Sequence, residues 1–202
     1  MNEEKNTKSS DGSAEVVPQR LVVGISGASG AILGIRTLEV LRPMPVETHL
    51  VISPAARLTI KAETDWNVEA VMALADIVYE YEDVGAVIAS GSFETQGMVA
   101  IPCSIKTLSS IANAYTSNLL SRAADVTLKE GRELVLVVRE APLHSGHIRL
   151  MSLASEAGAV IFPPVPAFYT RPQDLDHLID NIVGRVLMRL GVKNDLYQQW
   201  KQ

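Results

Sequence analysis

A glycine- and serine-rich segment, GISGASG, spans residues 24–30 and lies at the end of a run of apolar residues. Small side chains let a backbone approach a ligand closely, and a helix that starts after such a segment offers unpaired N–H groups to an anion. The segment therefore suits a phosphate group or the edge of a flat cofactor. Tight packing of a strand against a helix selects the same residues, and the segment matches neither the Walker A pattern nor the GxGxxG fingerprint. Both interpretations stay open at this point.

Hydroxyl groups stand at two further places where an apolar run ends. Ser53 follows one such run, and Ser104 and Thr107 follow another, with Lys106 between them. A hydroxyl at this kind of position either caps the next helix or contacts a ligand. A lysine in the first turn of a helix adds positive charge where the helix dipole already attracts anions. The sequence is compatible with both roles.

A cation and a carboxylate, Arg139 and Glu140, directly follow the apolar run 134–138. Charges that are buried at the end of a strand need partners, so this pair is predicted to form either a structural ion pair or part of a catalytic site. Three cations and one phenol elsewhere in the chain could clamp a phosphate dianion. These residues are Arg122, Lys129, Tyr169 and Arg185.

Three side chains of types that often react or bind metal are given other roles. Cys103 is the only cysteine, and no His/Asn pair accompanies it, so we expect a buried apolar side chain and not a nucleophile. His144 and His147 lie three positions apart, but no third ligand follows at a recognisable spacing. We therefore expect surface or capping roles for both histidines, and no metal site.

Strands and helices that must position these segments alternate along the chain. Apolar runs predict strands at residues 21–25, 48–52, 98–101, 133–138 and 159–162. Helical spacing predicts helices after residue 30, from about residues 55, 104 and 145, and over residues 174–190. The alternation predicts a single-domain α/β fold, a doubly wound, mostly parallel sheet in a three-layer sandwich of the Rossmann or flavodoxin-like class. Ligands of such sheets bind beyond the carboxyl ends of the strands, where the polar segments lie.

Composition limits the classes of protein to which the chain can belong. The 202 residues, 47% of them hydrophobic, suit one compact domain, and a formal charge of −5 with scattered basic residues argues against nucleic-acid binding. No apolar run approaches the roughly 20 residues that cross a bilayer. The single cysteine and the lack of a signal sequence predict a cytoplasmic protein. Residues 1–18 are predicted to be a disordered tail, 19–192 the folded domain and 193–202 a C-terminal extension.

Six segments carry a joint pattern along the chain. In order, they are GISGASGAILGIR, ETHLVIS, SGSFETQGMVAIPCSIKTL, RAADVTLKE, LVLVVREAPL and GAVIFPPVPAFYTRP. Together they resemble the flavin prenyltransferase family of UbiX and Pad1, which includes the subunits of phenolic-acid and hydroxybenzoate decarboxylase systems. The resemblance covers residues 21–192, and a shared fold alone does not explain the order and spacing.

This resemblance implies an FMN-binding domain over residues 19–192 and a prenyl transfer that needs no metal. Reduced FMN would be alkylated at N5 by dimethylallyl phosphate and closed through C6, with phosphate leaving and prenylated FMN passing to a UbiD-type decarboxylase. Such a reaction needs a dry apolar pocket for the allylic group and cations for the phosphate. Relatives are typically homododecamers whose sites are shared between subunits.

The resemblance also assigns roles to residues of this chain. The FMN contacts implied are Gly27, Ala28, Ser29, Ser53, Ser104, Ile105, Lys106, Thr107 and Arg139. The prenyl phosphate contacts implied are Arg122, Lys129, Glu140, Tyr169 and Arg185. The implied catalytic residues, which would move protons, are Ser29, Glu63 and Glu140. Some relatives place a tryptophan before the SGS sequence to wall the prenyl pocket, whereas residues 79–83 here contain two tyrosines and no tryptophan.

Two other functions fit the same fold. An FMN-dependent cysteine decarboxylase is also an α/β oligomer, but it has no need for the cationic clamp. A flavodoxin-like electron carrier or flavin storage protein would bind FMN as its whole function, and prenyl phosphate would then leave the flavin unchanged.

Overall fold

The chain folds into a six-stranded parallel sheet between two layers of helices in the computed structural model, which describes residues 19–197 and residue 200. The strands, in chain order, are β1 Gln19–Ile25, β2 Val46–Ile52, β3 Ile77–Tyr79, β4 Gly97–Cys103, β5 Glu133–Val138 and β6 Val160–Ile161. Their order in the sheet is β3-β2-β1-β4-β5-β6, and every pair is parallel. This is the strand order of dinucleotide-binding Rossmann domains.

Seven helices in the described part of the chain cover the sheet. They are α1 Ala31–Leu41, α2 Pro54–Glu63, α3 Val68–Met72, α4 Ile105–Ala112, α5 Leu119–Lys129, α6 Ser145–Glu156 and α7 Leu175–Arg189. Short 3₁₀ turns lie at Val87–Ala89 and Phe168–Thr170. No helix of the described residues is long and apolar enough to cross a membrane.

The sheet is buried on both faces, which explains why its central strands are continuous apolar runs. Leu21 and Val23 of β1 point into a core that includes residues of α1, α2, α3 and α7. Val22, between them, points into the opposite core with residues of α4, α5 and α6. The three-layer sandwich predicted from the sequence is therefore confirmed.

The predicted strands all occur, with β1, β2 and β4 beginning earlier in the chain than expected. One strand and two helices were not predicted: β3, α3 and α5. β3 has only three residues at the edge of the sheet, too few for a periodic pattern. The predicted tail at residues 1–18 lies outside the described residues, as does part of the predicted extension at 193–202.

The strand order fixes where a ligand can bind. The chain leaves β1 towards β2 on one side and leaves β4 towards β5 on the other, so the loops after β1 and β4 run to opposite layers. A crevice opens at the carboxyl ends of two neighbouring strands whose connections diverge in this way.

Candidate functional site

A cleft of about 480 Å³ lies at this crevice, within the size range of small-molecule sites, roughly 300–1,000 Å³. Loops after β1, β2 and β4 form it, together with the segment after β3. The lining residues are Gly27, Ser53, Pro54, Ala55, Leu58, Tyr81, Ser104, Lys106 and Thr107. Five of the nine predicted FMN contacts therefore come together in one cavity.

Ser26 joins the two central loops of the cleft. Its hydroxyl is buried, donates to the carbonyl of Pro102 at 2.8 Å and accepts from the N–H of Ser104 at 2.7 Å. Removal of this hydroxyl would leave the Ser104 N–H without its partner next to the cleft, whereas the Pro102 carbonyl would keep its bond from the N–H of Ser26 at 3.2 Å. Sequence reasoning grouped Ser26 with the small residues of its loop and gave it no role.

Gly27 is required by close packing at the floor of the cleft. A Cβ atom at this position would lie 2.3 Å from the Cβ of Ala55 in α2, which is closer than two carbon atoms can pack. The first loop can therefore approach the start of α2 only because it has no side chain here. This close approach confirms the packing interpretation of the glycine, while the ligand contact stays a prediction.

Ser53 and Ser104 cap the two helices that start at the cleft. The Ser53 side chain accepts from the N–H of Ala56 at 3.1 Å, and the Ser104 side chain accepts from the N–H of Thr107 at 3.2 Å. Ser104 also donates to the Thr107 hydroxyl at 3.1 Å. The capping role is thus confirmed for both serines, and both still line the cleft.

Glu63 occupies the N-terminus of α1, which the sequence suggested was open to a phosphate. Its Oε2 accepts from the N–H groups of Gly30 at 2.7 Å and Ala31 at 3.3 Å. Gly30 reaches this geometry with φ of 99°, a left-handed conformation that glycine adopts without strain. The expectation of unpaired N–H groups at this helix was therefore wrong, because a carboxylate from α2 already pairs them.

The same contacts keep Glu63 ionised. Partial burial by itself raises the pKa of this carboxyl, but hydrogen bonds from Gly30, Ser29 and Ala31 and the positive charge of Arg139 outweigh it, so the pKa lies below its usual value. The structure thus brings together two of the predicted proton-transfer residues, Ser29 and Glu63. The lowered pKa leaves the Glu63 carboxylate ionised, but it makes this group a weaker base than an ordinary glutamate.

Arg139 and Glu140 are exposed and are not joined by an ion pair in the described part of the chain. The sequence allowed a buried ion pair between these two residues, and that interpretation is therefore wrong. The Arg139 N–H donates to the carbonyl of Cys103 at 3.2 Å, and Glu140 accepts from the N–H of Ala141 at 3.0 Å. Both residues lie at the carboxyl end of β5, next to the strand that carries Ser104.

Cys103 and His144 have the predicted roles, whereas His147 is half-buried and its Nδ1 has no hydrogen-bond partner among the described residues. Burial raises the pKa of the Cys103 thiol to about 12, so it is protonated at neutral pH and cannot act as a thiolate. His144 caps α6 by accepting from the N–H of Gly146 at 3.0 Å, and its ring lies 3.6 Å from that of His147. No group of three His, Cys, Asp or Glu side chains suited to a metal occurs among the described residues.

The predicted phosphate clamp is not assembled within one chain. Arg122 pairs with Asp125 at 3.0 Å near the start of α5, whereas Lys129 pairs with Glu130 at its end. Arg185 lies on α7, in the opposite layer of helices, over the ring of Phe162 at 5.6 Å.

The remaining predicted clamp residue, Tyr169, lies in the 3₁₀ turn after β6. Its ring packs edge-on against that of Trp200, with 5.0 Å between the ring centroids.

Four lining residues of the cleft were not predicted, namely Pro54, Ala55, Leu58 and Tyr81. Leu58 is 70% exposed on the wall of the cleft, and burial raises the pKa of the Tyr81 phenol. Two features of the sequence could have indicated these lining residues. Tyr81 lies in the segment where some relatives carry a tryptophan, and Pro54 follows Ser53 at the first position of a helix.

Known proteins are similar to this chain over most of its length. The Flavoprotein family model matches residues 9–186. Flavin prenyltransferase UbiX of Escherichia coli (strain K12) is 59% identical over 186 residues, covering 91% of this chain and 98% of that protein. Mitochondrial flavin prenyltransferase PAD1 of Saccharomyces cerevisiae is 50% identical over 184 residues, covering 91% of this chain and 76% of that protein.

Solved structures of UbiX proteins are also similar to this chain. AnUbiX (PadA1) in complex with FMN and dimethylallyl pyrophosphate has a TM-score of 0.90 at 48% identity, covering 92% of this chain and 99% of that chain. A dodecameric FMN-dependent UbiX-like decarboxylase from Escherichia coli O157:H7 has a TM-score of 0.89 at 47% identity, covering 91% of this chain and 100% of that chain. The FMN-dependent cysteine decarboxylase TvaF has a TM-score of 0.57 at 14% identity, covering 70% of this chain and 88% of that chain, and shares the fold alone.

Replacement of Glu63 by glutamine tests the carboxylate at the start of α1. Because its folded-state pKa is lowered, the contribution of Glu63 to stability is present above the pKa of the unfolded chain and is lost as the pH falls through the folded-state pKa. We expect wild type to resist urea better than Glu63→Gln at pH 7, and the difference to shrink below about pH 4.5. Glu94→Gln, at an exposed site, is the control. A difference that does not change with pH would contradict the ionised cap.

Proposed function

This chain belongs to the flavin prenyltransferase family of UbiX and Pad1, and we propose that it transfers a dimethylallyl group from dimethylallyl phosphate to N5 and C6 of reduced FMN. The observation that carries this proposal is the cleft at the carboxyl ends of the strands. It brings together Gly27, Ser53, Ser104, Lys106 and Thr107. These are five of the residues at which the sequence matches the FMN-binding motifs of the family.

The walls of the cleft fit a flavin. Ala55, Leu58 and the ring of Tyr81 offer apolar surface to a flat ring system, and Gly27 packs against Ala55 at the floor of the cleft. Hydroxyls and the Lys106 ammonium offer hydrogen bonds to the polar edge and phosphate of such a ligand. Reduced FMN, when bound, supplies the nucleophilic nitrogen and carbon atoms.

The chain supplies the groups that the proton steps need. One C–N bond forms at N5 and one C–C bond at C6, and each of these positions loses a proton. The bond from carbon to the phosphate oxygen breaks, and phosphate leaves with that electron pair and one of the protons. The allylic double bond is consumed as the C–C bond forms, and it takes up the other proton. We assign Glu63 as a proton acceptor because it is ionised and hydrogen-bonds Ser29. Glu140 is assigned as the group next to the departing phosphate, because it stands exposed at the carboxyl end of β5. Ser29 is assigned as the relay that hydrogen-bonds Glu63.

The positions of the residues predicted to bind the prenyl phosphate support a site that is shared between subunits. Lys129 lies at the end of α5, just before β5 begins, whereas Ser104 and Arg139 lie after the carboxyl ends of β4 and β5. A strand of seven residues such as β4 separates these edges by about 20 Å. One small ligand cannot contact both within a single chain. We therefore propose that Lys129 acts in the cleft of another subunit of a homododecamer.

The alternative functions receive less support. Structures of the cysteine decarboxylase TvaF and of DmrB, a protein cage for redox transfer, share only the fold, at 14% and 13% identity. The prenyltransferase relatives match at 50–59% identity over about nine-tenths of the chain. A UbiD-type decarboxylase as recipient of the product, and a cytoplasmic location, stay predictions from the sequence.

The first experiment is an anaerobic incubation of the protein with reduced FMN and dimethylallyl phosphate. We expect the released flavin to gain one five-carbon unit, because the chain carries the family's cleft and proton-transfer groups. Mass spectrometry and the absorption spectrum of the flavin are the readouts. Unchanged FMN, released from folded protein that bound it, would contradict the prenyltransferase and favour a carrier.

Glu140→Gln tests the proton transfer in the same assay. Glutamine keeps the size of the side chain but cannot give or accept the proton, so we expect FMN binding to persist and turnover to fall about 100-fold or more. Glu80→Gln, another exposed carboxylate, is the control. Near-normal turnover by the Glu140 variant would remove this residue from the mechanism.

Mixed oligomers test the shared site. Lys129→Ala and Arg139→Ala chains should each lose most activity, but co-expressed chains should recover about a quarter of the sites, because some cleft and lysine pairs then come from unaltered chains. Lys106→Ala co-expressed with Arg139→Ala is the control. Lys106 and Arg139 follow the carboxyl ends of the neighbouring strands β4 and β5, so we expect one chain to supply both to the same site and no site to recover. Equal lack of recovery in the two mixtures would place Lys129 in its own chain's site.

A further inference from the structure

A second cavity, of about 270 Å³, lies beside the second turn of α7 and shares no lining residue with the cleft. It is formed by the segment after the 3₁₀ turn Phe168–Thr170, by α7 and by the chain that follows α7. The lining residues are Thr170, Arg171, Pro172, Gln173, His177, Asn181 and Leu196. Polar side chains predominate, although much of the surrounding surface of α7 is apolar.

Asn181 is an unpaired polar group in this cavity. Its side chain is only 5% exposed, and it makes no hydrogen bond to any residue within 19–197 or to residue 200. Its neighbours along the helix, Ile182 and Val183, belong to the main core. The amide atoms of Asn181 are not among the buried side-chain atoms that lack a partner, so they face the open space of the cavity and not the core.

Arg171 is the second unusual feature. Its backbone has φ of 48° and ψ of 57°, a left-handed conformation that is strained in a residue other than glycine and disfavoured before a proline such as Pro172. Its guanidinium group pairs with no carboxylate in the described part of the chain. Strain of this kind persists where the surrounding structure fixes it, and it concentrates at ligand sites.

The charges of the cavity favour an anion. None of the seven lining residues carries a carboxylate, and the nearby Asp174 hydrogen-bonds the His177 ring at 3.0 Å. The Thr170 hydroxyl donates to the carbonyl of Ala167 at 2.7 Å, and the Gln173 amide donates to the carbonyl of Arg171 at 2.9 Å. Arg171 and Asn181 are thus the lining side chains with N–H donors that make no hydrogen bond in the described part of the chain. We propose that this cavity is a subsite for a phosphoryl group, bound by Arg171 and Asn181.

The position of the cavity indicates where the phosphoryl group comes from, and this step rests on the proposed function. Arg171 lies two residues after Tyr169, and Asn181 lies one helical turn, about 6 Å, before Arg185 on α7. A prenyl phosphate held by Tyr169 and Arg185 would thus lie within reach of the cavity. The group is either the distal phosphate of a prenyl pyrophosphate or the inorganic phosphate that is released.

Thermal unfolding with inorganic pyrophosphate or inorganic phosphate tests the subsite without catalysis. The variants are Asn181→Leu and Arg171→Gly. Arg42→Gln removes a positive charge from an exposed position at the C-terminal end of α1, and it is the control for the loss of charge in Arg171→Gly. Without anion, we expect both variants to melt at or above the temperature of wild type, since leucine at 181 breaks no hydrogen bond of the described residues and glycine at 171 relieves a strained backbone. With pyrophosphate, wild type and control should gain stability, and both variants should lose that gain.

Steady-state kinetics with two esters identifies the source of the phosphoryl group. If the cavity binds the distal phosphate, each variant raises KM for dimethylallyl pyrophosphate about tenfold more than KM for dimethylallyl phosphate. If inorganic phosphate stabilises wild type as well as pyrophosphate does, and the KM ratio stays constant, the subsite holds the released phosphate.

Two outcomes would overturn the subsite. Equal stabilisation of wild type and both variants by pyrophosphate would show that Arg171 and Asn181 bind no phosphoryl group. A clear loss of stability in Asn181→Leu without anion would show that the amide has a structural partner instead. Failure of the wild-type protein to prenylate FMN from either ester would reject the proposed function, and the unfolding data would still decide the subsite.

Discussion

The hydroxyl of Ser26 holds together the two loops on which the cleft depends. It bridges the carbonyl of Pro102 and the N–H of Ser104 at 2.8 and 2.7 Å, across neighbouring strands whose following helices pack on opposite faces of the sheet. The backbone N–H of Ser26 donates to the same carbonyl at 3.2 Å, so the side chain and the backbone of Ser26 join the loops together. The buried bridge fixes the Ser104 backbone, and Ser104 in turn caps the helix that carries Lys106 and Thr107. One side chain therefore couples the geometry of the sheet to that of the ligand cleft.

Glu63 changes which helix ends can attract a phosphate. The helices that follow β1, β2 and β4, namely α1, α2 and α4, begin next to the cleft, and each N-terminus carries a partial positive charge. The ionised carboxylate of Glu63 neutralises that of α1, whereas the starts of α2 and α4 are capped only by the neutral hydroxyls of Ser53 and Ser104. Lys106 adds a full charge at α4. A phosphate in the cleft is thus drawn towards α4 and away from the glycine-rich loop.

The sequence predicted those features that continuous or periodic patterns encode. The central strands were predictable because burial on both faces requires a continuous apolar run. Helix α7 was predictable because burial along one stripe requires apolar residues at helical spacing over many residues. β3 was not, because three edge residues carry no pattern, and neither was the Glu63 cap, because its partners lie 33 and 32 residues away. The position of Lys129 relative to the cleft depends on the end of the sheet at which α5 ends. The position of Arg185 depends on the face of the sheet against which α7 packs. Residue type alone does not contain that information.

The single chain is complete as a fold but incomplete as the proposed site. Both faces of its sheet are covered, so folding leaves no large core to be closed by a partner. Yet large apolar side chains remain exposed where an allylic group would need a dry pocket: Leu58 is 70% exposed on the cleft wall, and Phe168 is 76% exposed beside Tyr169. Transfer of a prenyl group requires exclusion of water from these surfaces, and Lys129 stands at the wrong end of the sheet to reach its own cleft. Association of subunits would supply both the missing wall and the missing cation, which makes assembly a requirement of catalysis rather than of folding.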